Sequence, residues 1–450
     1  MSKNQNRPLL ILPIETKVRE YHAKLLFSLL AVEKGYSVVL GGQRSLRNVV
    51  HRFDRGIYID KSVASTKKKW VRWCNRMGHV PVAWDEEGLV YFSDEVYHEL
   101  RLSEEVLQQM RAFFTWGKAQ AETILKKYPE QKNLVVSGNP RFDLLRPEFR
   151  NFYLPEAEKL KEQYGPILLI NTNFGFGNHF HGAENERQRL RRYPIDSVKP
   201  DFFDGWIDMQ QKTIDYFVKM IPELKNKFPD HTIVVRPHPS ENHKIWEQAI
   251  KDLSGCLVTG ERNVLEWILA SDVMIHTNCT TAVEAFLMGV QAILYKPYPL
   301  GEYAQTLPNG VSLEATDLDE LIDMVGDVLN GSTVENSDAE KRKFAQYYIE
   351  SCTGNLASEK ILNFLDEQRL IPDRKRNANQ MLWVGLRRIW LVVQKMKEAS
   401  GKHSSYDTKK FPGISMEELE YDVEKFRNVT NERFNIKINP VGKDCFFLTH

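Results

Sequence analysis

The 450-residue chain predicts an α/β protein: two parallel sheets in series, each covered by helices on both faces, followed by a helical C-terminal segment. Three observations carry this expectation. Short apolar runs alternate with runs of helical periodicity between residues 9 and 138. The same rhythm restarts at residue 166 and continues to residue 295. After residue 371 the composition turns basic. Strand, helix, strand at this spacing is the pattern of parallel sheets joined by helical crossovers.

The elements follow in order. Residues 9–12 read as a buried strand. Residues 18–34 read as a helix, with Leu25, Leu26, Leu29 and Leu30 at helical spacing and Gly35 to end it. Further strands are expected at 37–40, 57–60, 80–84, 113–117 and 134–138, with a helix at 118–127. The second series has strands at 166–171, 232–235, 256–258, 272–276 and 291–295, and helices at 206–227, 264–270 and 281–288. Residues 175–204 read as a long polar stretch. The expected domains are 1–155, 156–365 and a C-terminal extension, 366–450. Ligands of such folds bind at the carboxyl ends of the strands, in the crevice between the halves.

In the extension, residues 373–410 hold ten Lys/Arg and three Asp/Glu, a net of +7. Met381, Leu382, Leu386, Ile389, Trp390, Val393 and Met396 share one helical face. Such a basic amphipathic helix suits an anionic membrane surface. The alternative is a helix packed on its own protein with a solvated basic face.

Composition sets further bounds. A hydrophobic fraction of 42% and a charged fraction of 27% are those of a soluble globular protein. A net charge of +1 argues against a protein devoted to nucleic acid. The apolar run 8–13 is too short for a signal peptide, and no stretch reaches the ~20 apolar residues of a membrane span. Cys74, Cys256, Cys279, Cys352 and Cys445 are scattered and odd in number, as expected of reduced thiols in a cytoplasmic protein.

Several groups of residues can carry chemistry. Asp85, Glu86 and Glu87 follow an apolar run and precede Gly88; strand alternation would send Asp85 and Glu87 one way and Glu86 the other. A carboxylate among carboxylates at a strand end can act as a general base, or the cluster is a solvated acidic turn. Arg236 and His238 flank Pro237, and Pro239 follows, so the backbone fixes the His where it can bind phosphate; the other reading is a strand-end His satisfied by a carbonyl. Asn278, Thr280, Thr281 and Glu284 lie where a strand turns into a helix, whose N-terminus attracts phosphate. Asn171 and Asn173 follow the first strand of the second half and can line the crevice. His179 and His181 lack a nearby third ligand, so no metal site is expected. The run Phe174-Gly175-Phe176-Gly177 lacks dinucleotide-binding spacing.

The two-sheet plan, Asp85-Glu86-Glu87-Gly88 in the first half and Arg236-Pro237-His238-Pro239 in the second resemble GT-B glycosyltransferases, built of two Rossmann-like domains facing a cleft. More narrowly they resemble the bacterial sialyltransferases and polysialyltransferases, with their acidic-acidic-Gly motif, His-Pro motif and downstream Ser/Thr motif. The whole chain is similar to surface carbohydrate biosynthesis proteins, through Ile14-Glu15-Thr16-Lys17 and Gly138-Asn139-Pro140-Arg141-Phe142-Asp143.

The resemblance covers roughly residues 7–365 and implies roles. Glu87 would be the general base, with Asp85 and Glu86 as alternatives. His238, Thr280 and Thr281 would hold the donor phosphate, with Arg236, Pro239, Asn171, Asn173, Asn278 and Glu284 completing the donor site. The donor would be a CMP-activated nonulosonic acid (sialic, legionaminic, pseudaminic or the related Kdo), transferred with inversion to a hydroxyl of a glycan or lipid-linked glycan, with no metal or other cofactor. The protein would be cytoplasmic, peripheral on the inner membrane face through its basic tail. Rivals are a retaining Kdo transferase, a CDP-glycerol-type transferase, a sugar-nucleotide epimerase or hydrolase, and a non-catalytic component of polysaccharide assembly.

Overall fold

A computed structural model describes residues 8–192, 195, 196, 198–332, 335–370, 375–398 and 410–450. Contacts divide the chain into two compact units. Unit 1 comprises Met1–Leu89, Leu100–Phe149 and Gln346–His450, and unit 2 comprises Val90–Glu99 and Arg150–Ala345.

The sheet of unit 1 contains β1 (Leu9–Ile14), β2 (Ser37–Gly42), β3 (Ile57–Asp60), β4 (Val80–Trp84), β5 (Phe113–Thr115) and β6 (Leu134–Val136). These six strands run parallel. Fully buried strands such as Leu-Leu-Ile-Leu-Pro-Ile are typical of sheets covered on both faces. The helix Lys17–Glu33 crosses from β1 to β2 and is buried along nearly all of its length.

Unit 2 is built on β7 (Ile167–Asn171), β8 (Thr232–Arg236), β9 (Cys256–Val258), β10 (Val273–His276), β11 (Ala292–Tyr295) and β12 (Leu313–Ala315). All pairings are parallel, in the order β12-β11-β10-β7-β8-β9. Counted within the unit this is a 3-2-1-4-5-6 arrangement, whose order reverses between β7 and β10. The core behind it joins Leu168, Ile170, Ile233, Val235, Val273 and Ile275 from the strands to Phe217, Met220 and Ile221 of the helix Phe202–Lys227.

The C-terminal segment differs from the sequence expectation in two ways. First, it ends in an antiparallel hairpin, β13 (Lys437–Gly442) and β14 (Cys445–Thr449), and β14 pairs antiparallel with β2. The first sheet thus has eight strands in the order β13-β14-β2-β1-β3-β4-β5-β6. Second, residues 346–450 group with unit 1, whereas the sequence reading set 366–450 apart. The attachments are specific: buried Asp143 accepts from Ala357 N at 2.8 Å and from Ser358 N at 2.8 Å, at the N-terminus of the helix Ala357–Gln368. Within the expected basic segment, residues 373, 374 and 399–409 lie outside the described residues. The polar stretch 175–204 also holds the helix Ala183–Arg191, which periodicity did not reveal.

Candidate functional site

The candidate residues occupy the carboxyl edges of the two sheets. In unit 1 the strand order reverses between β1 and β3. There Glu15, just after β1, pairs with Lys61, just after β3, at 2.9 Å. Burial would raise the Glu15 carboxyl, but Lys61 and Lys67 hold it below the ordinary range. In the sequence Glu15 stands out only as part of Ile14-Glu15-Thr16-Lys17, and Lys61 carries no spacing signal.

The acidic cluster follows β4, which ends at Trp84, so strand alternation does not reach it. Asp85 to Gly88 form a tight turn, with Gly88 N donating to Asp85 O at 3.2 Å. Asp85 and Glu86 are both buried, and Glu87 alone reaches solvent. Asp85 meets the Arg101 guanidinium, with Nε at 3.4 Å. Glu86 accepts from Trp84 Nε1 at 2.6 Å and lies 3.3 Å from Lys24 Nζ. Lys24 also binds Glu20 at 2.8 Å and donates to Pro13 O at 2.7 Å. Glu20 accepts from Glu15 N at 2.9 Å and Thr16 N at 3.1 Å, so it closes the N-terminus of its own helix. Burial would raise Glu20, but the Lys24 ammonium holds it at about 2. Gly88 is glycine by necessity: a Cβ there would stand 2.1 Å from Nε2 of Gln120, itself buried and bound to Trp116 N at 2.8 Å.

Glu87 is 43% exposed in its side chain. Arg19 lies 2.9 Å from one carboxylate oxygen, Arg101 2.8 Å from the other, and Lys61 4.0 Å away. Burial pushes its pKa up, but Arg101, Arg19 and Lys61 outweigh that and hold it at about 2. Ionised but weakly basic, this carboxylate is fixed between two cations. Arg19→Gln is therefore expected to raise the Glu87 titration midpoint by about one unit. The check is an NMR pH titration of the 13C-labelled carboxyl; a midpoint unmoved by the substitution would refute the clamp.

In unit 2 three loops from adjacent strands meet at the carboxyl edge. Asn171, the last residue of β7, donates to Thr281 Oγ1 at 3.1 Å across the point where the strand order reverses. Asn173 donates to Asn278 O at 2.8 Å. Asn278 has φ +49 and accepts from Gln305 N at 3.0 Å and Asn309 Nδ2 at 2.9 Å, so its side chain pins the following loop. Thr280 is exposed at the start of the helix Thr281–Met288 and makes no capping hydrogen bond, while Glu284 sits buried in the first turn. Asn171 Oδ1 and Thr277 Oγ1 are buried with no hydrogen-bond partner among the described residues.

The His238 loop is held by a residue the sequence reading missed. Glu241, 3% exposed, accepts from Thr172 Oγ1 at 2.7 Å, Phe174 N at 2.9 Å, His238 N at 3.0 Å and Trp246 Nε1 at 3.0 Å. It thereby ties the loop after β7 to the loop after β8. Burial raises its pKa despite these donors. His238 itself is exposed, with Nδ1 2.8 Å from Ser240 Oγ and 3.3 Å from Ser240 N. A backbone N–H can only donate, so Nδ1 accepts and the ring proton sits on Nε2. Gly175 packs against this pair: a Cβ there would come within 2.4 Å of Ser240 Oγ and 3.1 Å of His238 Nδ1. Pro239 is exposed beside it.

Arg236 is turned elsewhere. It donates to Glu261 O at 2.6 Å and Arg262 O at 3.3 Å and lies over the Trp267 ring. Burial lowers its pKa to about 10. It braces the loop after β9, so the structure gives it a local partner where the sequence expectation gave it a phosphate. His179 and His181 have their rings 5.4 Å apart, and no group of three metal-ligating side chains is found among the described residues. Among the described residues Cys74, Cys256, Cys279 and Cys445 form no disulfide.

No family description matches the chain, and no curated protein matches it. Solved structures do. A UDP-N-acetylglucosamine 2-epimerase superposes with a TM-score of 0.53 at 10% identity, over 82% of this chain and 98% of that one. The UDP-GlcNAc 2-epimerase of Neisseria meningitidis, solved bound to UDP-GlcNAc, gives 0.50 at 13% identity, over 80% of this chain and 100% of that one. These likenesses establish the fold: two Rossmann-like α/β units of the GT-B kind, as the sequence predicts, to which the chain's own structure adds a C-terminal region of helices.

Proposed function

We propose that this protein is a nucleotide-sugar-dependent glycosyltransferase of surface-glycan synthesis, with the donor phosphate held at the carboxyl edge of unit 2. The observation that carries this reading is the meeting of the Asn171, His238 and Thr280–Thr281 loops beside the reversal point of that sheet. Open α/β sheets bind ligands there. The Nε2–H of His238 and the amides opening the helix Thr281–Met288 are donors suited to phosphate oxygens.

In its finer form the donor is a CMP-activated nonulosonic acid and the acceptor a glycan hydroxyl. That form rests on the order and placement of the acidic-Glu-Gly and His-Pro motifs. The acceptor oxygen would bond to the anomeric carbon as the bond from that carbon to the phosphate oxygen breaks. The acceptor proton would pass to Glu87, and CMP would leave with its growing charge offset by His238 and the helix N-terminus. CMP carries a single phosphate, so the chemistry asks for no divalent cation and no further cofactor. Glu87 must exchange its arginine partners before it can act, because a base held at about 2 is poorly matched to a hydroxyl.

That clamp favours a second reading, in which the protein processes a nucleotide sugar without an acceptor. This is the class of activity named for the two solved neighbours.

Thermal unfolding with CMP, CDP, UDP and GDP separates these readings. CMP is expected to stabilise the protein by about 2.7 kcal/mol at a hundredfold excess over its Kd, and His238→Ala to abolish the effect. Preference for UDP would favour the second reading. Indifference to all four nucleotides would remove the donor site.

A further inference from the structure

The helix Ala378–Glu398 is apolar on two opposite faces. One face is core. Val384, Arg387 and Leu391 are buried, and Trp383 packs edge-on against Trp73 of the helix Lys68–Arg76. Arg387 lies over the rings of Trp70 and Trp73 and donates to Arg47 O at 3.0 Å, which seals that contact.

Among the described residues the opposite face has no such aromatic packing, although Arg387 also lies over the Trp390 ring. Met381, Leu382, Ile389, Trp390, Val392 and Met396 lie along it. Eight of the fifteen large apolar side chains that stand exposed among the described residues belong to this one helix, each 39–74% accessible. At 100° per residue they fill an arc of about 180°, centred opposite the buried face. Expected packing on the protein's own core thus accounts for a different stripe of the helix from the one its sequence made conspicuous.

Charge decides what fits there. Residues 375–397 contain six Lys/Arg and no Asp/Glu; Arg387 is taken up by the core face and Arg376 donates to Met77 O at 2.7 Å, so the charge at hand is that of exposed Lys375 and Arg388, with Lys395 and Lys397 further along the sequence. A second copy docked face to face would bring these cations together, with Glu398 as the one acid of the helix to meet them. An anionic lipid surface satisfies both features, since the apolar arc enters the headgroup–acyl boundary and the basic residues meet phosphates. Trp390 on the exposed arc is a residue type that settles at such boundaries. No described helix is long and apolar enough to cross a membrane, so the contact is in-plane.

We propose that the helix Ala378–Glu398 docks this protein on an anionic lipid surface, lying flat with its Met381–Met396 face inserted. The inference stands independently of the donor chemistry proposed above.

The test is flotation of the full chain with vesicles of phosphatidylcholine alone or with 30 mol% phosphatidylglycerol. The expected result is at least tenfold tighter binding to the anionic vesicles, weakened by raising NaCl from 0.1 to 0.5 M. Ile389→Glu combined with Met396→Glu should cut that binding at least tenfold with the circular dichroism spectrum unchanged, as both side chains are solvent-facing. Absence of vesicle binding, equal binding to both compositions, or binding indifferent to the double substitution would overturn the proposal. So would a wild-type dimer by sedimentation that the double substitution dissolves, since a second copy would then cover the face.

Discussion

Lys24→Met is expected to lower the stability of unit 1 by about 3–5 kcal/mol, the usual cost of removing one partner from a buried ion pair. Lys24, Glu20 and Glu86 are each at most 3% exposed. The ammonium lies 2.8 Å from one carboxylate and 3.3 Å from the other. A methionine fills the same volume but leaves two carboxylates without their shared cation, and Oε2 of Glu86 already has no hydrogen-bond partner among the described residues. The loss carries a pH signature. Glu20 is held at about 2 against an ordinary 4.5, so it contributes stability above pH 4.5 that disappears as pH falls toward 2. Without Lys24 the same acidification relieves two stranded carboxylates, so the acid arm of the stability curve should flatten or reverse. Urea unfolding at pH 7 and pH 3 reads both effects, and a loss under about 1 kcal/mol at pH 7 would count against the ion-pair account.

Glu241→Ala is the second large effect, and it falls on unit 2. It removes the acceptor of two backbone N–H groups, a threonine hydroxyl and an indole. Each buried donor left unpaired costs about 1–3 kcal/mol, and partial relaxation of the loops brings the expected total to about 3–5 kcal/mol. The His238 loop and the loop after β7 would lose their common anchor, so nucleotide stabilisation should vanish with the fold still present. Glu241→Gln gives an intermediate result: one carbonyl oxygen can still receive Thr172, Phe174 and His238, but the new amide opposes the Trp246 N–H. Chemical unfolding and the nucleotide shift, measured on both variants, should rank wild type, Gln, Ala in descending order. A Gln variant as damaged as Ala would point to the charge of Glu241 as the operative feature instead.

Much of the fold was legible because buried parallel strands announce themselves as short apolar runs between helices. Ile57–Asp60, Val80–Trp84 and Cys256–Val258 fall where the sequence placed them. The hairpin β13–β14 was not legible, since the mostly exposed β13 has little apolar alternation. The helix Ala183–Arg191 is almost wholly polar and tied by ion pairs such as Arg189–Glu186, so it leaves no hydrophobic period to read. The site divides the same way. Three adjacent acids, and a histidine between prolines, are visible in one dimension. Which acid faces solvent is set by Lys24, Arg19 and Arg101, which arrive from other elements. Glu241 reads as an ordinary loop acid until Trp246, Thr172 and Phe174 close around it.

The pairing of β14 with β2 has a consequence for how the chain is made. The acceptor edge of β2 leaves the ribosome roughly 400 residues ahead of its partner β14. At about 5–20 residues per second that interval is roughly 20–80 seconds. During it a strand that is fully buried in the finished fold presents an open hydrogen-bonding edge, the kind of surface that recruits the wrong strand. Unit 2, whose main segment Arg150–Ala345 is continuous, emerges whole within the same interval. The edge of the unit 1 sheet is therefore the part of the fold that is closed last, after the six strands β1–β6 and unit 2 have emerged.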